Sequence, residues 1–157
     1  MTENEKTLVK FYSAFASNDA STMSECYHSN VAFRDPVFGL LKGDNVSKMW
    51  KMLIASSKGA LTINVSDIKA DEYIGSAQWT ASYTFSKTNR KVVNVIQAHF
   101  HFQDGLIIKH TDDFDLWKWS KQAFGLKGFL FGWTGYMHKK IHEKAVSSLK
   151  KYKESNT

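Results

Sequence analysis

The stretch AQWTASYTF (residues 77–85) decides the fold class, because it alternates apolar and polar side chains without a break. Strict alternation of this kind is typical of a strand with one face on a core and the other in solvent. Two further strands are predicted over residues 92–102 and 106–117, and an alternating run beginning at Leu61 precedes them all. In the run that begins at Leu61, the alternation of apolar and polar residues is interrupted near Asp67, which indicates a β-bulge. The middle of the chain is therefore predicted to be an antiparallel meander.

Helical patterns precede these strands. Near the start of the chain, apolar residues recur at i, i+3, i+4 and i+7, which indicates one buried helix face: Leu8, Phe11, Tyr12 and Phe15. Thr2 and Glu5 have the spacing of a capping box for this helix. A short second helix is predicted from Asp19, with a turn at 28–30 and a short strand at 31–34. Helices followed by a meander predict an α+β fold, with helices packed on one sheet face.

Two turn signals predict the register of the long strands. Asn89-Arg90 suits a two-residue hairpin turn, and Gln103-Asp104-Gly105 suits a three-residue turn. Nine side chains then share one face, since cross-strand neighbours point to the same side: Trp79 beside Phe100 and Ile108, Ala81 beside Ala98 and His110, and Tyr83 beside Ile96 and Asp112. The small alanines beside His110 leave room either for a ligand or for Phe11 or Phe15 of the first helix.

FRDPVFG (residues 33–39) places one carboxylate, Asp35, among apolar and turn-forming neighbours. Two interpretations stay open. An Asp before Pro36 commonly orders a turn. Desolvation by the apolar neighbours would also disfavour the charged carboxylate, which makes Asp35 a candidate proton shuttle.

A second candidate group lies on the last predicted strand. His110 and Asp112 point to the same side, which suits a carboxylate that orients an imidazole; they can equally satisfy each other's hydrogen bonds. Ligand contacts are expected from residues that surround this pair: Tyr12, Phe33, Trp50, Trp79, Tyr83, Ala98 and Phe100. His99 and His101 point to the opposite face without an obvious third ligand, so no metal is expected.

The composition narrows the class of protein. The 157 residues fit one domain, residues 1–157, in which residues 118–157 form a helical C-terminal extension. The first residues contain no apolar signal core, and no run has the length of a membrane span. A single cysteine, Cys26, suits a reducing compartment, so a cytoplasmic protein is predicted. The net charge of +6 arises mostly from lysines in residues 138–157, a pattern that indicates a solvated helix face and no nucleic-acid partner.

The extension contains an unusual glycine pattern. Gly125, Gly128, Gly132 and Gly135 recur at helical spacing among large apolar residues. Glycine inside a helix costs about 1 kcal/mol relative to alanine, so the pattern indicates close backbone contact or a broken helix. Three roles stay open: a lid over a pocket, a membrane-interface helix supported by the lysines that follow, and packing against the sheet. Packing against the sheet is the preferred interpretation.

The segments CYHSNVAFRDPVFGLLKG (residues 26–43) and HFHFQDGLIIKHTDDFDLW (residues 99–117), with Met49 and Trp50 between them, resemble the SnoaL-like group of the nuclear-transport-factor-2-like superfamily. The resemblance covers nearly the whole chain and implies a curved sheet wrapped by helices into a cone with an internal pocket. It also implies a homodimer through the outer sheet face, which would use Val93, Val95, Gln97, His99 and His101. Members include steroid isomerases, polyketide cyclases, epoxide hydrolases, dehydratases and non-catalytic proteins, so the fold alone does not imply a reaction.

The resemblance places Asp35 where steroid isomerases of this fold carry their proton-shuttling Asp. Their oxyanion-stabilising Tyr falls near Phe11 and their second acid near Ala98, and neither residue can donate a hydrogen bond. The steroid isomerase oxyanion hole is therefore not expected, although His110 lies across from Ala98 in the predicted register and could supply a donor. SnoaL-like cyclases work with an Asp or His and without metal, so no cofactor is expected.

These observations predict a pocket-bearing protein that binds a small, largely apolar molecule, with cofactor-free acid–base chemistry of isomerase, cyclase or dehydratase type. In this hypothesis Asp35 moves a proton, His110 donates to an oxygen and Asp112 orients His110. The alternatives are a non-catalytic ligand-binding protein and a homodimeric interaction module with a filled cone.

Overall fold

Six helices and six strands make up the computed structural model, which describes residues 1–156. In chain order they are α1 (Glu3–Ala16), α2 (Ala20–Glu25), β1 (Tyr27–Asp35), β2 (Gly39–Lys42), α3 (Asp44–Ser57), β3 (Thr62–Ala70), β4 (Ile74–Phe85), β5 (Arg90–Gln103), β6 (Leu106–Asp113), α4 (Leu116–Phe124), α5 (Leu126–Phe131) and α6 (Gly135–Ser155). The strands form one sheet in the order β2-β1-β6-β5-β4-β3. The β1–β6 pair is parallel and the other pairs are antiparallel. The predicted α+β class, with helices on a curved sheet, is confirmed.

The N-terminal helix has the predicted cap and the predicted buried face. Thr2 Oγ1 accepts a hydrogen bond from Glu5 N at 3.1 Å, and Glu5 Oε2 accepts one from Thr2 N at 2.8 Å. The four apolar residues of the predicted stripe are buried in the larger of two core clusters. Burial of each such side chain stabilises the fold by about 1.5–3 kcal/mol, so packing rather than intrinsic propensity holds α1 in place.

The β4–β5 hairpin keeps the predicted faces but not the predicted register. Trp79 pairs with Ile96, four residues from the predicted partner Phe100. The connection is a four-residue loop, 86–89, in which Asn89 has a left-handed conformation with φ of 57°. Because the shift is an even number of residues, every side chain stays on its predicted face.

The β5–β6 hairpin shows a second shift, and this one changes the surroundings of His110. Ala98 pairs with Asp112 instead of His110, and His110 pairs with Phe100. The predicted three-residue turn has two residues, 104 and 105. The imidazole therefore has a phenyl ring, and not a small alanine, as its cross-strand neighbour.

A β-bulge between His101 and Phe102 interrupts the alternation near this turn, so Ile107 and not Ile108 is fully buried. The predicted bulge in β3 is also present, between Ser66 and Lys69. Residue 67 there has φ of 54°, the left-handed conformation found at the first residue of a G1-type bulge.

Two predicted boundaries are wrong. Residues 28–30 belong to β1 instead of forming a turn; β1 pairs with β6 at Tyr27 and again from Ala32, with an irregularity in the register between them. The last strand ends at Asp113 instead of residue 117, because Asp115 caps α4: its Oδ1 accepts a hydrogen bond from Lys118 N at 3.0 Å. The outer-face residues proposed for a dimer, at 93, 95, 97, 99 and 101, are exposed, and the dimer itself stays a prediction.

Cys26 lies in the larger core cluster. Its S–H donates to the Thr22 carbonyl oxygen at 3.5 Å. Burial raises the pKa of the thiol to about 11, so the side chain behaves as a small apolar residue.

The glycine-rich extension is a broken helix with one close backbone contact. Gly125 has φ of 64° and separates α4 from α5. A Cβ at Gly128 would overlap the Ser120 carbonyl oxygen, so the two helices touch through their backbones. Both explanations for the glycine pattern therefore apply. Among residues 1–156, no helix is long and apolar enough to cross a membrane.

Helix α6 connects the two core clusters. Met137 and Ile141 pack in the smaller cluster with Trp119 of α4, whereas Leu149 packs in the larger cluster. The extension thus packs against the rest of the fold through α4 and α6.

Candidate functional site

A cavity of about 1290 Å³ lies between the inner face of the sheet and helices α3 and α6. Three of the predicted ligand-binding aromatic residues, Trp50, Trp79 and Tyr83, form part of its wall. The other four predicted contacts are instead buried in the core, at most 1% exposed, and do not line the cavity: Tyr12, Phe33, Ala98 and Phe100.

Asp35 lies at the end of β1 and lines the cavity. Its Oδ1 accepts hydrogen bonds from Val37 N at 2.9 Å and Phe38 N at 2.6 Å, which closes the turn into β2. Helix α6 supports this turn, since His142 Nδ1–H donates to the Val37 carbonyl oxygen at 2.8 Å. In the part of the chain that the structure describes, no side chain or backbone N–H bonds Oδ2 of Asp35. Oδ1 therefore orders the turn, while Oδ2 remains available to a ligand in the cavity.

Burial raises the pKa of Asp35 to about 7, with a further contribution from the negative charge of Asp112. The two backbone N–H donors act in the opposite direction but do not cancel the effect of burial. A carboxyl group that titrates near neutral pH in a cavity wall can accept and return a proton under physiological conditions.

Asp112 of β6 is the second carboxylate in the cavity wall. Its side chain is only 3% exposed, and its Oδ1 accepts hydrogen bonds from Trp79 Nε1 at 3.2 Å and His110 Nε2 at 2.9 Å. The predicted His–Asp pair is thus formed, with Asp112 on the cavity side.

His110 lies behind Asp112 and is not part of the cavity wall. Its ring is 1% exposed. The rings of Phe11, Phe33 and Phe100 surround it, with centroid distances of 5.7, 5.1 and 4.5 Å. Of the two ways in which the sequence could fill the space beside His110, the first helix does so, through Phe11.

A chain of hydrogen bonds fixes the orientation of His110. Trp50 Nε1 donates to the Tyr27 hydroxyl oxygen at 2.8 Å, and this hydroxyl lies 2.7 Å from His110 Nδ1. Because the Asp112 carboxylate can only accept, Nε2–H donates to it, and in the neutral imidazole Nδ1 then accepts the proton of the Tyr27 hydroxyl. Every donor in the chain is directed towards the carboxylate.

Tyr83 supplies a free donor in the cavity wall. Its hydroxyl oxygen accepts a hydrogen bond from Trp119 Nε1 at 2.7 Å. The hydroxyl proton has no acceptor among residues 1–156, so it is available to an oxygen atom inside the cavity. Burial raises the pKa of Tyr83 above its ordinary value, which keeps the hydroxyl protonated at neutral pH.

Five exposed lysines lie along the rim of the cavity: Lys58, Lys87, Lys127, Lys140 and Lys144. Burial and the neighbouring Lys144 lower the pKa of Lys87 to about 8. The cavity therefore combines an apolar interior, the carboxylates of Asp35 and Asp112 on its wall, and a rim where five lysines outnumber the single exposed Glu143. No group of three His, Cys, Asp or Glu side chains within residues 1–156 is arranged to hold a metal.

Sequence reasoning missed the hydrogen-bond partners of the site. The predicted second helix, from Asp19 to the turn at 28–30, includes Tyr27, which lies in β1 instead. Its contact with His110, 83 residues away, depends on the parallel β1–β6 pairing. Trp119 follows a run whose pattern predicts a strand up to residue 117, but helix α4 begins after the cap at Asp115 and contains Trp119. Only that cap residue, an Asp before an amphipathic stretch, offered a local signal.

The comparisons with known proteins agree with this architecture. The family model described as SnoaL-like domain matches residues 8–110, so the chain belongs to the SnoaL-like family. No curated protein sequence matches the chain at a significant level.

Solved structures with the same fold include Bal32a from a soil-derived mobile gene cassette, which is 18% identical with a TM-score of 0.68 over 76% of this chain and 95% of that one. IdmH, a putative polyketide cyclase from Streptomyces antibioticus, is 19% identical with a TM-score of 0.65 over 77% and 98%. An LEH-like epoxide hydrolase from M. tuberculosis is 19% identical with a TM-score of 0.59 over 82% and 92%. At these identities the matches establish the fold and leave the reaction open.

Proposed function

We propose that this SnoaL-like protein binds a small, largely apolar, carbonyl-bearing molecule in the cavity and moves a proton on it through Asp35. The observation that carries the proposal is the carboxyl group of Asp35, which lines an apolar cavity and has a pKa of about 7. Isomerases, cyclases and dehydratases share this step, in which a base removes a proton from carbon next to a carbonyl group.

In the proposed step, the Asp35 carboxylate takes a proton from the carbon next to the carbonyl, and the electron pair of the C–H bond moves to form an enolate. Asp35, now a neutral acid, returns the proton to the same or another carbon. Catalysis requires a donor for the enolate oxygen. The Tyr83 hydroxyl fits this role, since its oxygen is anchored by Trp119 and its proton is free.

These roles differ from those expected from the sequence. Both ring nitrogens of His110 are engaged, with Tyr27 and with Asp112, so we assign to His110 the positioning of Asp112 rather than donation to the ligand. Asp112 stands in the cavity wall, where its negative charge helps to keep Asp35 a strong enough base at neutral pH.

The test measures deuterium incorporation next to the carbonyl group of 2-tetralone in D₂O, by NMR, together with 2-tetralone affinity by calorimetry. We expect Asp35→Asn to slow exchange by at least about 100-fold, the usual contribution of a general base, with affinity nearly unchanged. Tyr83→Phe should also slow exchange. The rate should rise with pH up to about 7 and then level, because only the ionised Asp35 accepts a proton.

Asp113→Asn is the matched control, because Asp113 is an exposed carboxylate on β6, the strand next to that of Asp35, and does not line the cavity. The Asp113→Asn variant should catalyse deuterium exchange into 2-tetralone at the wild-type rate. Binding of 2-tetralone without exchange above the buffer rate would overturn the catalytic part and support a non-catalytic binding protein. Absence of both binding and exchange, for 2-tetralone and for a panel of aromatic ketones, would contradict the proposal as a whole.

A further inference from the structure

The segment that joins α4 to α6 exposes an unusual amount of apolar surface. We call the exposed side chains of this segment the aromatic patch: Leu126, Phe129, Leu130, Phe131 and Trp133. Leu126 is 72% exposed and Trp133 is 63% exposed. Single exposed apolar residues are normal on a protein surface, but a group of large ones in one short segment marks an interaction site.

The contact between α4 and α5 explains why these side chains face outward. Helix α5 packs on α4. A Cβ at Gly128 would overlap Ser120, and a Cβ at Gly132 would lie 2.6 Å from Cβ of Ser120, so only glycine fits at both positions. The inward side of the segment is therefore glycine, and the large residues project into solvent. The preferred expectation from the sequence, packing against the sheet, holds for α4 and α6 but not for the aromatic patch.

The polar groups of the patch are already satisfied within the protein. Trp133 Nε1 donates to the Leu130 carbonyl oxygen at 3.0 Å, and Trp117 Nε1 donates to the Phe129 carbonyl oxygen at 3.2 Å. The Trp117 ring stacks on the Phe129 ring at a centroid distance of 6.3 Å. Since no indole N–H of this surface would lose a partner, the patch can enter an apolar medium at little cost.

The chain segment that carries the patch has charges of one sign, and the first acidic residue after it, Glu143, lies 3.9 Å from the Lys139 ammonium. Residues 116–142 contain five lysines and no aspartate or glutamate: Lys118, Lys121, Lys127, Lys139 and Lys140. Four of these lysines are exposed, and the Lys121 ammonium lies 4.2 Å from the centre of the Trp117 ring. Apolar and aromatic side chains beside lysines, in a segment without Asp or Glu, form the pattern of a surface that lies in the headgroup region of an anionic membrane.

We propose that the aromatic patch docks on the surface of an anionic lipid bilayer. The five apolar side chains enter the boundary between headgroups and acyl chains, and the lysines lie against the negatively charged headgroups. The protein lies on the membrane and does not cross it, in keeping with the short α5. This inference is independent of the proposed acid–base chemistry, although the rim lysines Lys127 and Lys140 belong to both surfaces.

The experiment measures co-sedimentation of the full chain with vesicles of phosphatidylcholine and phosphatidylserine at 3:1, and with pure phosphatidylcholine vesicles. We expect binding to the anionic vesicles that is at least about tenfold tighter than to the neutral ones and that weakens with salt. The double variant Phe129→Ser/Trp133→Ser should bind at least about tenfold more weakly, because each aromatic side chain contributes through burial.

The double variant Tyr73→Ser/Ile74→Ser is the matched control, since it removes two similarly exposed apolar residues at the start of β4, outside the aromatic patch. It should bind like the wild type, and circular dichroism should show that both variants are folded. Sedimentation that is absent, or equal for both double variants, would overturn the proposal. A wild-type dimer by light scattering that Phe129→Ser/Trp133→Ser converts to a monomer would also overturn it, because the patch would then bind a second copy of this chain.

Discussion

The two carboxylate oxygens of Asp35 have separate roles. Oδ1 closes the turn after β1 by accepting from two backbone N–H groups, and the same side chain lines the cavity. The turn interpretation and the proton-shuttle interpretation of the sequence are therefore compatible at this residue. The turn holds the carboxyl group in an apolar wall, and that wall raises its pKa.

This pKa has a consequence for stability. The folded chain holds the Asp35 proton up to about pH 7, whereas the unfolded chain releases it near pH 3.8. Between these values only the unfolded state is ionised, so rising pH favours unfolding through this group. Relative to Asp35→Asn, the free energy of unfolding of the wild type should therefore fall by about 2–4 kcal/mol between pH 4 and 7.5.

Urea unfolding of both proteins at several pH values measures this difference. The asparagine side chain keeps the acceptor for the two backbone N–H groups, so the turn is retained, and all other titrating groups cancel in the comparison. If the difference in free energy of unfolding between the wild type and Asp35→Asn does not change with pH, Asp35 titrates at an ordinary pKa.

At the residue scale, the sequence identified the groups of the site better than their partners. Asp35 was recognisable because its apolar neighbours are adjacent in the chain. His110 and Asp112 were recognisable because alternation puts residues two apart on one side. Tyr27, Trp50 and Trp119, which complete the hydrogen bonds, come from elements distant in sequence, and no local pattern predicts such contacts.

At the element scale, the faces of the strands were predictable and their register was not. Asn89 was predicted to lie inside a two-residue turn, but it closes a four-residue loop. Contacts with α4 accompany that loop: Arg90 Nε donates to the Gln122 carbonyl oxygen at 2.7 Å. The end of the loop thus bonds to a helix that follows it by some 30 residues, a contact that the turn sequence alone does not predict.

The α4–α5 contact gives a prediction at the same scale. Gly128→Ala should destabilise the protein by about 1–3 kcal/mol, because the added methyl group overlaps the Ser120 carbonyl oxygen and the helices must separate. Gly135→Ala is the control, since a Cβ there meets open space at the start of α6. Thermal and urea unfolding measure both. Equal effects of the two substitutions would mean that α5 is not held against α4 by this contact.

At the scale of the whole molecule, α6 joins the two core clusters into one structure. Its first turns fill the smaller cluster beside Trp119, and Leu149 near its other end fills the larger one. His142 between them holds the turn of Asp35. The helix thus couples the stability of the extension to the geometry of the candidate site.

The coupling predicts a single unfolding transition. Ile141→Ala should lower the free energy of unfolding by about 2–4 kcal/mol, since it removes buried methyl and methylene groups. Tryptophan fluorescence and far-ultraviolet circular dichroism should report the same midpoint for this variant. Val146→Ala, at an exposed position of the same helix, should change stability by less than about 0.5 kcal/mol. Two separate transitions in the Ile141 variant would show that the clusters unfold independently.

The burial of Cys26 makes the chain convenient for chemical labelling. Reagents that alkylate cysteine react with the thiolate, and a buried thiol with a pKa of about 11 offers almost none at neutral pH. A cysteine introduced at an exposed position, as in Leu130→Cys, would carry a spin label or fluorophore without removal of the native thiol. The depth and environment of a chosen surface position can then be read spectroscopically in an otherwise unaltered chain.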